Sequence, residues 1–188
     1  MHTLGRDIEQ LNQKVLLFAA DQEQAANRYL GIHPNVNKQL KQASSSGCQS
    51  AIACGVPLVH LREEIVADLV EPDRLSLPSS RYHNDLPELL SEINLLALQL
   101  AQRTTFINPH LAVLYFGLNR QQMDYVAGSC VSDLARYAVR CPNIVKLRGA
   151  TSPTMWERIM IGGLIGGPRG LRISHDAALM SLQSSMSV

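Results

Sequence analysis

The sequence lacks the features that would direct it into a membrane or out of the cell. No apolar run approaches the roughly 18 residues that a membrane-spanning helix needs. The N-terminus shows neither a basic start followed by an apolar stretch nor a small-residue cleavage site, so no secretory signal is indicated. We therefore expect a cytoplasmic protein that does not associate with membranes.

Cysteine is scarce, and its spacing forms no metal-binding motif. Only four cysteines occur in 188 residues, without a Cys-x-x-Cys pair or a regular spacing to histidine. Structural zinc sites usually show such spacing. Free, partly buried thiols are therefore preferred over a zinc site, and neither a metal nor a cofactor is expected. The cysteines are Cys48, Cys54, Cys130 and Cys141.

The sequence also lacks an arrangement typical of an enzyme. Ser174, His175 and Asp176 are neighbours in sequence, and a nucleophile, a base and an orienting acid cannot stack from adjacent positions. The glycine-rich segment Gly162–Gly170 could in principle bind phosphate through backbone N–H groups, but no Lys-Ser or Lys-Thr pair follows it. A hinge or docking segment is the preferred interpretation. The lone Trp156 is expected to pack this region onto a unit or partner rather than stack on a base.

An internal repeat is the most informative feature that is present. The segment Ala26–Ile32 returns, imperfectly, as Ala112–Leu118, and the similarity continues until Arg62 returns as Arg148. Both correspondences have an offset of 86 residues, so no net insertion separates the copies over this stretch. With 46% hydrophobic and 18% charged residues, the chain can bury two small cores. The repeat therefore predicts a tandem duplication of one small unit.

Each copy is predicted to contain four helices and a short closing strand. In the second copy, Asn108 and Pro109 favour the start of the second helix, Gly117 favours its end, and Asn119 caps the third helix. A helix, a glycine turn and a helix form the arrangement of a helix-turn-helix protein. We therefore predict a mainly α fold of two tandem helical units, each with a helix-turn-helix-like core.

The fourth helices of the two copies differ in composition. In the second copy this helix is predicted to start at Ser132, and the closing strand is Ile144–Arg148. In the first copy the helix Cys48–Cys54 is poor in large apolar residues, and the closing strand runs from Leu58 to Arg62. We therefore expect the first copy to pack less tightly, or to depend on a partner for its stability.

Charge is distributed unevenly along the chain. From Glu63 to Glu92 there are eight acidic residues against two basic ones, together with three prolines, which is typical of a linker. A short helix is predicted within it, at Glu63–Val70. The predicted divisions are a first unit at 1–62, a linker at 63–91, a second unit at 92–150 and a glycine-rich basic tail at 151–188.

The basic third of the chain is the candidate nucleic-acid surface. From Leu134 to Asp176 seven basic residues are accompanied by only two acidic ones, although an ordinary solvated surface remains an alternative. The polar face beginning at Arg120 suits a recognition helix, because Arg and Gln pair with guanine and adenine, or it is a solvated face. The candidate DNA-binding residues are Arg120, Gln121, Gln122, Arg136, Arg140, Lys146 and Arg148, with Lys38 and Lys41 in the first copy.

Several of these segments together resemble the flagellar master-regulator subunit FlhD. They are Glu92–Arg103, with its Ile-Asn-Leu and Leu-Ala-Gln-Arg motifs, the turn Phe116–Asn119, and the strand Ile144–Arg148. The resemblance covers residues 92–148 well and 8–62 weakly. Because flagellar members have one unit, the duplication points to the similar FlhD/FlhC-like activators of integrative conjugative elements and conjugative plasmids.

The resemblance implies a function and partners. It implies a mainly helical transcriptional activator subunit, in a homo- or hetero-oligomer, that controls transfer or motility genes. It further implies an FlhC-like partner that contains zinc, promoter DNA, and recruitment of RNA polymerase. A protein adaptor that leaves all DNA contacts to its partner is the alternative.

Overall fold

The structure, a computed structural model, describes residues 2–62 and 87–185. Within these ranges the chain forms ten α-helices and two short strands, which confirms the predicted mainly α fold. No helix in these ranges is both long and apolar enough to cross a membrane. The elements are α1 (His2–Asp21), α2 (Glu23–Leu30), α3 (Pro34–Gln42), α4 (Ser45–Ile52), β1 (Val59–Leu61), α5 (Glu88–Ile107), α6 (Pro109–Phe116), α7 (Arg120–Gly128), α8 (Val131–Arg140), β2 (Val145–Leu147), α9 (Pro153–Ile165) and α10 (Gly167–Ser185).

The chain divides into two compact units. Unit 1 comprises Met1–Val59 and Leu147–Val188, and unit 2 comprises His60–Lys146. The predicted tail at 151–188 is not a simple tail, because its residues 153–185 form α9 and α10 and belong to unit 1, where α9 packs against α3 and α4. Most of the predicted linker, including its predicted short helix, lies outside the described residues. The end of that linker is the start of α5.

Local signals position the helices of unit 2 as the sequence predicts. The Asn108 side chain caps α6 by accepting a hydrogen bond from the His110 N–H at 3.0 Å, and Pro109 is the first residue of this helix. Gly117 ends α6 in the left-handed conformation, with φ 71° and ψ 22°, which glycine adopts without strain. The predicted helix-glycine turn-helix arrangement of α6 and α7 is confirmed.

The elements of the two units recur at a constant displacement. Both bounds of α2, α3 and β1 reappear 86 residues later as the bounds of α6, α7 and β2. Gly31 ends α2 with φ 71° and ψ 23°, nearly the conformation of Gly117. The prediction that these two glycines occupy equivalent turns is confirmed.

The first helix of each unit follows a different offset. Each of seven buried residues of α1 has a buried counterpart 82 residues later in α5, whereas the elements that follow are displaced by 86. The four-residue difference is about one helical turn. This extra turn lies at the end of α5, where Phe106 and Ile107 are 69% and 58% exposed. The α1 residues are Ile8, Leu11, Asn12, Val15, Leu16, Phe18 and Ala19, and their counterparts are Leu90, Ile93, Asn94, Ala97, Leu98, Leu100 and Ala101.

A buried asparagine joins the first and fourth helices of each unit. The Asn12 amide donates to the Ile52 carbonyl at 3.2 Å, and its Oδ1 accepts from the Leu58 N–H at 2.8 Å. The Asn94 amide donates at 3.1 Å to the carbonyl of Ala138, which lies 86 residues after Ile52. Both asparagines are completely buried. They satisfy carbonyl groups that the end of a helix leaves unpaired.

The two strands form one small sheet. The Arg62 N–H donates to the Ile144 carbonyl at 3.0 Å, and the Arg148 N–H donates to the Leu58 carbonyl at 2.8 Å. This order of partners makes the strands antiparallel. Both segments are short strands, as the sequence predicts, and they pair with each other.

The glycine-rich segment forms the α9–α10 hairpin, and its glycines permit close packing. Gly166 and Gly167 make the turn with positive φ of 70° and 61°. A Cβ atom at Gly163 would lie 2.6 Å from the Gly47 backbone nitrogen and closer still to the Ser46 carbonyl in α4. Of the two interpretations of this segment, a hinge or a docking segment, docking describes the structure, because α9 packs on α4 of the same chain. The predicted need of the small-residue α4 for a packing partner is met by α9.

Trp156 anchors α9 in unit 1. Its side chain is completely buried, and its indole Nε1–H donates to the Gly149 carbonyl at 3.2 Å. Burial of the ring together with a partner for the N–H is the usual arrangement for a core tryptophan. The prediction that Trp156 packs the C-terminal region onto a unit is confirmed.

Cys54 should make the stability of unit 1 depend on alkaline pH. Its thiol is 1% exposed and contacts the Val56 carbonyl at 3.3 Å, and burial raises its pKa to about 11. The unfolded thiol ionises near pH 9, so this contribution is complete below that pH and is lost as the pH rises towards 11. Between pH 8 and pH 10.5 we expect wild type to lose about 2 kcal/mol more than Cys54→Ala. Urea denaturation of both proteins with reductant measures this, and parallel pH profiles would contradict it.

Candidate nucleic-acid interface

The start of α7 is held by two reciprocal hydrogen bonds. The Asn119 side chain accepts from the Gln122 N–H at 2.9 Å, and Gln122 Oε1 accepts from the Asn119 N–H at 2.7 Å. This capping box satisfies donors that the helix start would otherwise leave unpaired. Arg120 and Gln121 lie between the two capping residues and are exposed. The first turn of α7 therefore presents an arginine and a glutamine on an ordered backbone.

Gln122 does not belong to this exposed surface. It is 3% exposed, and its side-chain oxygen takes part in the capping box. The prediction that Gln122 lies on the exposed face of the recognition helix is therefore wrong. The Asn-x-x-Gln spacing from Asn119 was the signal in the sequence that could have identified its capping role.

Side chains from α5 and α8 hold the other end of α7. The Gln102 amide donates to the carbonyls of Val126 and Ser129 at 2.8 and 2.7 Å. The Tyr125 hydroxyl donates to the Tyr137 hydroxyl at 2.8 Å, and the two rings meet edge to face with centroids 6.0 Å apart. Burial, and then the hydrogen bond from Tyr125, raise the pKa of Tyr137. These contacts fix α7 relative to α5 and α8 within unit 2.

Helix α8 places two predicted site residues in solvent. Arg136 and Arg140 are both exposed, and Arg136 forms an ion pair with Asp133. The Cys130 thiol donates to Asp133 at 3.0 Å, and this bond and the nearby Arg136 guanidinium lower the pKa of the Asp133 carboxyl. Helix α8 starts at Val131, with Cys130 as its N-cap, so the predicted start at Ser132 is one residue late. The negative charge of Asp133 offsets part of the positive charge of this helix.

Arg148 is a buried structural residue. It is 3% exposed, its Nε donates to the Pro57 carbonyl at 3.0 Å, and burial lowers its pKa to about 9. The expectation that Arg148 is a surface residue is therefore wrong. Alternation along a strand does not reveal whether both of its faces are covered. The neighbouring Lys146 is half-buried.

Helix α3 of unit 1 is the counterpart of α7. His33 caps it as Asn119 caps α7, and Lys38 is exposed. Lys41 is also exposed, but its Nζ lies 2.5 Å from a carboxylate oxygen of Glu23. Asn37 of α3 is completely buried, although its side chain is polar. The exposed face of α3 is therefore smaller than the sequence suggested.

The structure divides the predicted site residues into three sets. Unit 2 holds five that are at least partly exposed, unit 1 holds two, and two are buried. The three sets are Arg120, Gln121, Arg136, Arg140 and Lys146, then Lys38 and Lys41, then Gln122 and Arg148.

In the described parts of the chain, no group of three or more His, Cys, Asp or Glu side chains could hold a metal ion, and all four cysteines are free thiols. No protein-family model, curated protein or solved structure matches the chain.

Proposed function

We propose that the chain is a DNA-binding subunit of a transcriptional activator and that α7 contacts the bases. The observation that carries this proposal is the capped first turn of α7, which exposes Arg120 and Gln121 directly after the glycine turn. Helix-turn-helix proteins place the N-terminal residues of their second helix against base edges in the major groove. Arginine pairs with guanine and glutamine with adenine through two hydrogen bonds each.

Contacts with the phosphate backbone would come from exposed or partly exposed lysines. Lys146 is half-buried in unit 2, and Lys38 is exposed at the equivalent helix of unit 1. Such contacts position a protein on DNA without reading its sequence. Arg136 and Arg140 were predicted to serve in the same way, but they lie on a face of α8 that is apolar as well as basic.

The repeated architecture supports the wider proposal. The recurrence of element bounds after 86 residues is what a tandem duplication predicts. The resemblance of residues 92–148 to FlhD extends the proposal to an FlhC-like partner, to RNA polymerase and to promoters of transfer or motility genes. In this proposal the chain acts in the cytoplasm within an oligomer, and it catalyses no reaction.

The variants Arg120→Ala and Gln121→Ala should relax the choice of DNA sequence. The probe is a duplex library with 20 random base pairs, selected on the wild-type chain and measured by fluorescence anisotropy. Loss of one bidentate contact should reduce the preference for a selected duplex over its single-base mismatches by about 1–3 kcal/mol, roughly 5-fold to 150-fold.

Arg6→Ala is the matched control, because Arg6 is an exposed arginine of α1 in unit 1. It should leave the preference unchanged. Circular dichroism should show the same helix content in all three variants, because each residue is exposed. If the selection enriches no sequence and all variants bind duplex DNA with equal affinity, the DNA-binding proposal is wrong.

A protein adaptor is the second candidate function, and the extra turn of α5 favours it. Phe106 and Ile107 are adjacent and largely exposed in this turn, for which unit 1 has no counterpart. Exposed aromatic and aliphatic side chains that lie together often mark protein-binding surfaces. An adaptor would bind its partner through such residues and would enrich no sequence in the DNA selection.

A further inference from the structure

The outer face of α8 carries two parallel stripes of side chains that do not pack into unit 2. Residues four positions apart lie along one line of a helix. The apolar stripe is Val131, Ala135 and Val139, and the basic stripe is Ser132, Arg136 and Arg140. Val131 is 62% exposed and Val139 is 46% exposed, whereas Leu134 on the inner face is completely buried. Apolar side chains that lie together on a protein surface can mark a binding surface.

Unit 1 shows what one side of the equivalent helix accepts. Helix α4 starts 86 residues before α8, and α9 packs on its side at Ser46, Gly47 and Ser50. Gly163 of α9 lies against the backbone of Ser46, and Met160 Sδ would be 3.3 Å from a Cβ atom at Gly47. Ser50 is only 6% exposed, although its counterpart Arg136 is exposed. In unit 1, the side of the fourth helix that corresponds to Ser132 and Arg136 therefore takes another helix, whereas the counterparts of Val131 and Val139 are exposed.

The occupant of the α8 face must differ from α9. Asp133 stands where α4 has Gly47, so two helix backbones cannot approach as closely as α9 and α4 do. A helix on α8 would pack through side chains at the ordinary interaxial distance of about 8–10 Å. One side of the partner helix would lie next to Arg136 and Arg140, so we expect that side to carry carboxylates.

We propose that the outer face of α8 docks an acidic amphipathic helix of a partner protein. Apolar side chains of that helix cover Val131 and Val139, and its carboxylates pair with Arg136 and Arg140. Docking of an amphipathic helix by an apolar line with charged flanks is a common recognition mode. Duplex DNA fits this face less well, because phosphates leave both valines exposed and Asp133 reduces the positive charge. This proposal does not depend on base contacts by α7.

Three labelled helical peptides of 18 residues test the proposal on the full chain. The first has leucine at four-residue spacing and glutamate on its flanks, the second replaces glutamate by lysine, and the third replaces leucine by glutamine. By fluorescence anisotropy, we expect the acidic peptide to bind about tenfold more tightly than either of the other two. Equal binding of the first two peptides to wild type would overturn the proposal.

Two variants locate the binding on α8. Arg140→Glu should weaken the acidic peptide about tenfold and strengthen the lysine peptide, because the charge preference is reversed. Val139→Asp should weaken the acidic peptide by a similar factor. The control Ala53→Asp changes the exposed counterpart 86 residues earlier in unit 1 and should have no effect. Circular dichroism checks the fold of each variant, and the peptide comparison on wild type provides a measurement that needs no variant.

Two other occupants would appear in parallel measurements. If Arg140→Glu lowers affinity for a 20-base-pair duplex and leaves peptide binding unchanged, the face contacts DNA and the proposal is overturned. Sedimentation of wild type and Val139→Asp tests for a second copy of the chain. A dimer that Val139→Asp dissociates, without an effect on the acidic peptide, would likewise overturn it.

Discussion

Replacement of Gly163 by alanine should lower the free energy of unfolding by about 2–3 kcal/mol and loosen α9 from α4. The added Cβ would lie 2.6 Å from the Gly47 nitrogen and closer to the Ser46 carbonyl. These are backbone atoms, so no side-chain rotation can relieve the clash and the two helices must separate. Separation also exposes the apolar surface that α9 buries, including that of Ile159, which is completely buried.

Gly128→Ala is the matched control for this substitution. Gly128 ends α7, and no atom lies within 4 Å of a Cβ built there. Alanine should therefore stabilise the helix by up to about 1 kcal/mol. Urea denaturation compares the two variants, and hydrogen exchange should show faster exchange in α9 of Gly163→Ala alone. Wild-type stability of Gly163→Ala would mean that α9 does not approach α4 this closely.

The helix ends of unit 2 were predictable because their signals are local. Asn108 and Pro109 start α6, and Gly117 ends it, through interactions that span at most a few residues. Asn119 starts α7 for the same reason. A single sequence contains all the chemistry that such caps require, so the helix-turn-helix arrangement followed from residue types and spacing.

Features that depend on distant parts of the chain were not predictable in the same way. The segment that contains Gly163 suggested a hinge or docking segment, because nothing near it in sequence indicates that α4 lies against Gly163. Arg148 appeared as an exposed basic residue, because alternation in a three-residue strand does not show that Pro57 covers it. The candidate site therefore kept Arg120 and Gln121, whose exposure follows from local helix geometry, and lost the residue that tertiary packing buries.

The buried asparagines were visible in the sequence without a stated role. Asn94 lies in the Ile-Asn-Leu motif, and Asn12 likewise follows an aliphatic residue, Leu11. An asparagine at zero exposure must bond to protein groups, because an unpaired buried amide is costly. The 82-residue spacing of these residues differs from the 86-residue offset of the repeat, which concealed their equivalence. Only the structure shows that both contact the end of a fourth helix.

Replacement of Asn12 by alanine should destabilise the protein by about 3 kcal/mol, and replacement of Asn94 by about 2 kcal/mol. Either change removes an amide donor from carbonyl groups near the end of the fourth helix, that of Ile52 in unit 1 and those of Ala138 and Cys141 in unit 2. Asn12 should cost more, because its Oδ1 also accepts the Leu58 N–H. Asn94 Oδ1 accepts no hydrogen bond from the described residues.

Urea denaturation of the two variants should therefore rank them in this order, with equal denaturant slopes if the unfolded state is unchanged. Asn35→Ala, at an exposed position of α3, should change stability by less than about 0.5 kcal/mol.

A further variant, Asn12→Leu, separates the loss of the hydrogen bonds from the loss of side-chain volume. Leucine fills the space of the asparagine but cannot donate to the carbonyl groups, so this variant should still be less stable than wild type. If Asn12→Leu were as stable as wild type, the bonds would not be what joins α1 to α4. If Asn94→Ala alone were harmless, the two asparagines would not share a role, and the equivalence of the two units would be limited to their backbone.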